Sequence, residues 1–265
     1  MSKNMRDTIT ITLIANTGVL VEYGDVGMLV DGIHHEPGHV FSKVCKKDLL
    51  HMRLGTDVFE HLDYLLFSHE HPDHFSPGFV ERHLQFRSVQ GIFLPDPAHG
   101  SPSLKFLANQ IQAQAISHRI LDLQPGEAAQ FPLVDDLTVT AIGAPHMGPQ
   151  YAAVKHHCFL LTIAGKHLLF TGDADHIPEY FVPALNGINP DVVFVNPLFY
   201  HHANGRKIIN EIFRPRTVVI YHMPFAKDDT TQLSHVVERD IKRYGQNGIQ
   251  PLIFSQEKQR LYLRG

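Results

Sequence analysis

The sequence is poor in the features that mark secreted, membrane-spanning and nucleic-acid-binding proteins. Its 265 residues contain only 2 cysteines, Cys45 and Cys158, which are too few and too far apart for a disulfide framework. No stretch approaches the roughly 18 consecutive apolar residues that a membrane span requires. The net charge of −4 provides no basic surface for a phosphate backbone. We therefore expect a soluble, unprocessed, cytoplasmic protein with no nucleic-acid partner.

Also absent are low-complexity linkers, long runs of like charge and obvious internal repeats. A hydrophobic content of 43% in 265 residues is enough to bury one sizeable core. We predict a single domain over residues 1–265, and the sequence leaves its oligomeric state open.

Histidine, in contrast, is abundant, with 20 residues against 23 lysines and arginines. Three histidines fall in the stretch SHEHPDHF, directly after the apolar run YLLF. Neutral imidazoles and carboxylates tolerate such crowding when a divalent cation is bound between them. His69 and His71 are two residues apart beyond a predicted strand, so both side chains point to one side and can bind one ion. Asp73 and His74 follow a proline, whose turn can present them to a second ion.

The alternative to a metal site is a histidine-rich surface turn in which Asp73 caps the next helix. Three later positions carry a polar, ligand-type residue at the end of an apolar strand, and these are His146, Asp173 and His222. Any one of them alone is typical of an ordinary loop residue, but their occurrence together favours a metal centre. Asp175 competes with Asp173 for this role, although its position before Pro178 suits it better to capping a helix.

The secondary-structure pattern mixes strands with helices. The runs ITITLI, GVLVEY and GMLVDG, separated by glycine turns, predict an antiparallel meander. Two further strands, LDYLLFSH and VQGIFLP, accompany helices predicted over about residues 77–86 and 101–115. Residues 164–166 predict a hairpin turn, and later strands alternate with helices around residues 205–213 and 230–244. We predict an α+β fold in which two β-sheets pack together with helices outside.

The motif His-x-His-x-Asp-His in HEHPDH, followed in order by His146, the stretch HLLFTGDAD and His222, resembles the metallo-β-lactamase fold superfamily over nearly the whole chain. The sequence is most similar to the compact branch that includes ascorbate-6-phosphate lactonase and N-acyl-phosphatidylethanolamine phospholipase D. The resemblance implies a four-layer αββα sandwich of two mixed β-sheets with outer helices. It also implies the ligands of two metal ions: His69, His71 and His146 bind one ion, Asp73, His74 and His222 bind the other, and Asp173 bridges them.

The chemistry expected from such a centre is hydrolysis. Two dications a few ångströms apart lower the pKa of a bridging water and polarise a carbonyl or phosphoryl oxygen. We expect a dinuclear metal-dependent hydrolase of a small ester, lactone or phosphodiester. Asp73 and Asp173 are its catalytic carboxylates, and Asp73 acts as a metal ligand rather than as a free base. Zinc is the expected ion, with manganese or iron as alternatives, because the ligands are nitrogen and oxygen without thiolate.

Three other functions stay open. A nuclease or phosphodiesterase of the same superfamily is disfavoured by the acidic charge balance. A non-heme iron oxidoreductase is a second alternative, but the diiron flavoprotein branch resembles His-x-Glu-x-Asp, whereas position 71 is histidine here. A non-enzymatic metal sensor is disfavoured by a full set of seven ligands.

Several neighbouring residues are candidates for the surroundings of the metals. Asp31 closes the third predicted strand, where it either holds a ligand histidine in place or belongs to an ordinary turn. His34 lies with His35 and His39 in a loop that either covers the metals or lies at the surface. The candidates for substrate contact follow a predicted strand, and they are Tyr200, His201 and His202.

Overall fold

The computed structural model of the chain describes residues 8–134, 136–245 and 249–264. These residues form two compact units. The first unit comprises residues 8–121 and 256–264, and the second comprises the described residues between 122 and 255. Each unit contains one mixed β-sheet of seven strands and its own hydrophobic core.

The sheet of the first unit is antiparallel on one side and parallel on the other. Its strands, in spatial order, are β14 (Arg260–Arg264), β1 (Thr8–Leu13), β2 (Val19–Tyr23), β3 (Val26–Val30), β4 (Leu62–Leu66), β5 (Gly91–Pro95) and β6 (His118–Leu121). Pairing is antiparallel from β14 to β3 and parallel from β3 to β6. Because the parallel strands end at one edge of the sheet, the loops that follow β3 and β4 are neighbours.

Three helices connect the parallel strands of the first unit, and they are α1 (Lys46–Leu54), α2 (Pro77–Leu84) and α3 (Pro102–Ala113). Short 3₁₀ helices lie at Asp57–Phe59 and Pro97–His99. The Ser101 hydroxyl accepts the backbone N–H of Leu104 and so caps α3, as predicted. In the core, the rings of Phe67 and Phe75 stack with centroids 4.2 Å apart. These two phenylalanines anchor both ends of the histidine-rich loop between them.

The second unit repeats the plan of the first with different strand lengths. In spatial order its strands are β13 (Leu252–Ile253), β12 (Thr217–Ile220), β11 (Val192–Val195), β10 (Lys166–Phe170), β9 (His157–Ile163), β8 (Leu137–Gly143) and β7 (Ala128–Val134). Strands β7 to β10 pair antiparallel, and β10 to β13 pair parallel. The strands β10 and β11 are apolar and largely buried, as expected for the centre of a mixed sheet.

The helices of the second unit are α4 (Val182–Leu185), α5 (Pro197–His201), α6 (Ala203–Ile208) and α7 (Leu233–Tyr244). A π-helical turn, Ile209–Phe213, continues α6, and 3₁₀ helices lie at Pro149–Tyr151 and Pro178–Tyr180. A Cβ atom on Gly205 would lie 1.8 Å from the Phe199 carbonyl oxygen, so only glycine permits the close approach of α5 and α6. Across the described residues, every helix is too short or too polar to cross a bilayer.

The predicted meander, the helix capped by Ser101 and the hairpin turn at residues 164–166 are confirmed. The prediction placed α/β alternation mainly in the second half, whereas both units contain it. Helix α1 was not predicted, because its sequence KKDLLHMRL buries only Asp48, Leu49 and Met52 and shows a weak apolar stripe. The C-terminal strand β14, which returns to pair with β1, was also not predicted.

One buried histidine of the first unit has no hydrogen-bond partner among the described residues. His83 lies on α2, is 2% exposed, and both of its ring nitrogens are buried without a partner. Burial, followed by the nearby positive charges of Arg87 and Arg53, lowers the pKa of His83 from 6.5 to about 4. The folded first unit therefore favours the neutral ring.

Acid should destabilise the protein through His83. Between pH 6.5 and about pH 4 the unfolded chain binds a proton at this residue and the folded chain does not. Stability is therefore complete above pH 6.5 and falls as the pH drops towards 4, by about 2 to 3 kcal/mol at pH 4.5. We expect His83→Leu to reduce the difference between urea unfolding at pH 7 and at pH 4.5, measured with chelator present. The control is His99→Ala, at a side chain that is 60% exposed. Identical pH slopes for both variants and the wild type would contradict the assignment.

Candidate metal centre

A buried carboxylate organises the predicted ligand loop of the first unit. Asp31 follows β3, is 1% exposed and has a left-handed backbone with φ of 47°. Its Oδ1 accepts the backbone N–H of Ser68 at 2.8 Å, and its Oδ2 accepts the Ser68 hydroxyl at 2.6 Å. The same Oδ2 lies 3.0 Å from His74 Nδ1. A carboxylate only accepts, so the proton of His74 is on Nδ1 and the lone pair of Nε2 is left for a metal.

His69 and His71 form a pair with converging ring nitrogens. The Nε2 atom of His69 lies 3.0 Å from the Nδ1 atom of His71. The other nitrogen of His69, Nδ1, lies 2.9 Å from the Ser68 hydroxyl. Two imidazole ligands of one tetrahedral zinc ion, each at about 2.0–2.1 Å, place their nitrogens about 3.4 Å apart. The measured spacing is about 0.4 Å shorter than this value, so the two nitrogens would move slightly apart on binding one ion.

The loop between β1 and β2 holds Asp73. Thr17 donates its hydroxyl to the Asp73 carbonyl oxygen at 2.9 Å. The Asn16 amide nitrogen lies 3.5 Å from Asp73 Oδ2, which is in turn 3.9 Å from His74 Nε2. Both loop residues are fully buried. Sequence reasoning missed them, because an Asn-Thr-Gly turn between two strands is typical of an ordinary hairpin.

In the second unit a single carboxylate faces two histidines. His146, Asp173 and His222 follow β8, β10 and β12 respectively. Asp173 Oδ2 lies 3.5 Å from His146 Nε2, and Asp173 Oδ1 lies 3.5 Å from His222 Nε2. His222 has a left-handed backbone with φ of 57°, which is uncommon for a residue other than glycine. Each oxygen of Asp173 is thus directed at a different imidazole.

Two further residues hold Asp173, and sequence reasoning found neither. His156 accepts the Asp173 backbone N–H at Nε2, 3.0 Å away, and donates from Nδ1 to the Ala144 carbonyl at 2.7 Å. Burial, reinforced by the charge of His146, lowers the pKa of His156 well below its usual range. The Asn196 amide donates to Asp173 Oδ1 at 3.0 Å. Asn196 precedes a proline at the end of a strand, which is a recognisable capping signal, but His156 has no such signal.

The predicted substrate-contact residues each have a local partner within the second unit. Tyr200 is buried, and burial raises its pKa. His201 Nδ1 lies 2.6 Å from an Asp240 carboxylate oxygen. His202 caps α6, and its ring stacks on His176 with centroids 4.8 Å apart. These contacts position α5, α6 and α7 against one another.

The remaining predicted neighbours lie in loops. His34 is fully buried, and its ring lies 6.3 Å from that of His39. His35 Nδ1 donates to the Val44 carbonyl at 2.7 Å. The capping role predicted for Asp175 is wrong: its carboxylate accepts the adjacent His176 N–H, and the following 3₁₀ helix has no side-chain cap.

The donor set of both units fits a divalent cation. It consists of imidazole nitrogens and carboxylate oxygens, and buried hydrogen bonds orient the histidines and aspartates that carry them. A separate cluster in the first unit, formed by Cys45, Asp48 and Glu257, also brings ligand atoms within 4.8 Å of one another. There the Lys258 ammonium lies 3.0 Å from Asp48 and already neutralises it, and burial raises the pKa of the Cys45 thiol. That cluster is a poor match for a metal.

Comparison with known proteins gives the fold and the family context. The family model of the β-lactamase superfamily domain matches residues 43–238. No curated protein matches the chain. Among solved structures, the metallo-β-lactamase fold protein YhfI from Bacillus subtilis is 17% identical, covers 97% of this chain and 100% of its own, and has a TM-score of 0.57.

Two other solved structures share the fold. Igni18, a metallo hydrolase from Ignicoccus hospitalis, is 14% identical over 97% of this chain and 99% of its own, with a TM-score of 0.58. The short form of human tRNase Z is 10% identical over 93% of this chain and 91% of its own, with a TM-score of 0.54. The α+β prediction, with two mixed sheets and the metallo-β-lactamase fold, is confirmed.

Asp31→Asn should reverse the tautomer of His74. Asparagine tolerates the left-handed backbone, but its amide nitrogen cannot accept the hydrogen bonds that the carboxylate accepts. We expect the free energy of unfolding to fall by about 1 to 3 kcal/mol. In metal-free protein, ¹⁵N NMR should show the His74 proton moved from Nδ1 to Nε2. The control is Asp63→Asn, a partly exposed carboxylate that accepts from Gly27 and Gln90. An unchanged His74 tautomer in the Asp31 variant would contradict the role of Asp31.

Proposed function

Because the chain belongs to the β-lactamase superfamily domain family, whose model spans residues 43–238, we propose that it is a dinuclear metal-dependent hydrolase. The observation that carries the proposal is the geometry of Asp173, with each carboxylate oxygen 3.5 Å from a different histidine nitrogen. A carboxylate that only capped a turn would have no reason to face two imidazoles. A carboxylate placed between two candidate ligand histidines is suited to contact the ions that those histidines would bind.

We propose the ligand set that the family resemblance implies. His69, His71 and His146 bind one ion, Asp73, His74 and His222 bind the other, and Asp173 bridges them. The pairing of His69 with His71 and the tautomer of His74 support the assignment. We propose residues 1–265 as one functional domain, since the family match includes residues of both units.

The proposed mechanism assigns separate tasks to the protein groups. Two divalent ions, when bound, supply an ionised water near neutral pH and a positive charge that polarises the reacting bond. Asp31 keeps His74 in the tautomer that can bind a metal. Thr17 and Asn16 hold Asp73, which acts as a ligand and leaves no free general base at that position. Zinc is the ion we propose first, with manganese or iron as alternatives, because the donors are nitrogen and oxygen.

The proposed substrate is a small ester, lactone or phosphodiester in the cytoplasm. The sequence has only 2 cysteines, too few and too far apart for a disulfide framework, which supports a reducing compartment. The net charge of −4 disfavours nucleic acid, but human tRNase Z has the same fold. A nuclease therefore stays as the second candidate, and RNA belongs in any substrate panel. An iron-dependent oxidoreductase would instead require iron for activity and an electron donor.

Metal content and substrate preference test the proposal together. Protein purified without chelator should contain about two equivalents of divalent metal per chain by elemental analysis. A panel of lactone, ester, thioester, phosphodiester and RNA substrates should give hydrolysis that chelation abolishes and zinc or manganese restores. A stable content of one equivalent, unchanged by added metal, would replace the dinuclear centre with a mononuclear one. Cleavage of RNA alone would establish the nuclease.

Asp173→Asn and Asp175→Asn separate the bridging carboxylate from its neighbour. Asparagine preserves the shape of Asp173 but stabilises two dications less well. We expect the Asp173 variant to lose at least one ion and to lose activity by more than about 100-fold, beyond the usual effect of residues that only support a ligand. Asp175 contacts the adjacent backbone, so its variant should keep both ions and most activity. Metal loss in the Asp175 variant alone would reverse the assignment.

A further inference from the structure

We propose that His156 is a positioning residue that sets the place of Asp173 through the Asp173 backbone amide. The inference rests on the proposed function, in which Asp173 bridges two metal ions. His156 immediately precedes β9 and is 4% exposed. It lies outside the motif that identifies the ligands, and its ring carries no ligand role of its own.

Both ring nitrogens of His156 are committed to backbone groups. Its Nδ1 atom lies 2.7 Å from the Ala144 carbonyl oxygen, which can only accept, so Nδ1 carries the proton. Its Nε2 atom therefore has a lone pair and accepts the Asp173 N–H at 3.0 Å. A ring with both nitrogens engaged in this way is a poor metal ligand. It is instead a rigid spacer between two backbone segments.

The two segments that His156 joins are the loops that carry His146 and Asp173. Backbone hydrogen bonds already connect these loops, from Met147 N–H to the Asp173 carbonyl and from Asp175 N–H to the Pro145 carbonyl, both at 2.8 Å. His156 adds a third connection on the amide side of Asp173, and its ring stands edge-on to that of His146 at 5.8 Å. The separation of His146 Nε2 from Asp173 Oδ2, 3.5 Å, is thereby set from within the unit.

Small displacements of this pair matter, because metal–ligand distances tolerate only about 0.2 Å of variation. Removing the acceptor at His156 would break its hydrogen bond with the Asp173 N–H, and the loop would lose that restraint. Residues that orient ligands in this way typically contribute about 10- to 100-fold to metal affinity. We therefore expect His156 to act on metal affinity beyond its effect on folding.

The adjacent residue provides a matched control. His157 is the first residue of β9 and is fully buried. Its Nε2 accepts a backbone N–H too, that of Leu123 at 3.4 Å. The two histidines therefore share burial, neighbourhood and an Nε2 atom that accepts a backbone N–H, and only for His156 does that N–H belong to Asp173.

The experiment compares His156→Leu with His157→Leu in the full-length chain. Urea unfolding of the metal-free proteins measures the structural effect, and chelator competition with zinc measures affinity and stoichiometry. We expect both variants to lose stability, and only the His156 variant to lose zinc affinity, by about 10- to 100-fold. His156→Gln, whose side-chain oxygen can accept the Asp173 N–H, should recover a large part of that affinity. If a leucine variant does not fold, His156→Phe and His157→Phe, which keep a ring but have no acceptor, replace the leucine variants in the same measurements. A larger loss of zinc affinity at position 156 supports the proposal, and equal losses overturn it.

The outcomes separate the inference from the proposed function. If the wild type binds zinc and the His156 and His157 variants have equal zinc affinity, His156 has only a structural role and the inference is overturned, while the proposed function stands. If glutamine at position 156 binds zinc no better than leucine does, the hydrogen bond to Asp173 is not the cause and the inference is again overturned. If the wild type itself binds no divalent metal, the proposed function fails, and the inference fails with it.

Discussion

The buried hydrogen bond between His74 and the Asp31 carboxylate is the interaction on which the ligand loop of the first unit depends. Asp31 accepts three hydrogen bonds from groups that would otherwise be buried without an acceptor, two from Ser68 and one from His74. Leaving such donors unsatisfied is costly, so the loop has one favourable arrangement. The same bond sets the tautomer of His74. The same hydrogen bond therefore satisfies the buried Nδ1 donor of His74 and leaves its Nε2 atom available to the proposed metal ion.

In the second unit, uncharged side chains rather than a carboxylate hold the proposed ligand Asp173 in place. Asp173 is held by a histidine nitrogen at its backbone and by the Asn196 amide at its side chain. In both units, an aspartate that follows a central strand accepts or donates several hydrogen bonds: Asp31 after β3 and Asp173 after β10. Asp31 and His222 have left-handed backbones, which are unfavourable for these residues and persist only where surrounding contacts determine the conformation. Asp31 orients one proposed ligand, and His222 is itself a proposed ligand.

Much of the candidate site could be predicted from local sequence. The motif HEHPDH concentrates three histidines and two carboxylates in six residues, and His146, Asp173 and His222 each follow an apolar run. Strand ends were recognisable because the runs before them are short and apolar. The N-terminal meander and the hairpin at residues 164–166 were predictable for the same reason, since their pairing is between sequence neighbours. The predicted cap by Asp175 failed, because its carboxylate bonds to the next residue and not to the 3₁₀ helix.

The sequence by itself determined which residues carry ligand chemistry and that strands deliver them. Only the tertiary structure decided which residues hold them. Asn16 and Thr17 reach Asp73 across more than 50 positions, and His156 reaches Asp173 across 17. The pairing of β14 with β1 likewise joins the two ends of the chain. The physical reason is that a hydrogen bond between distant residues leaves no periodic signal in the sequence. Its partners are chosen by which buried donors and acceptors the packed sheets bring within 3 Å of each other.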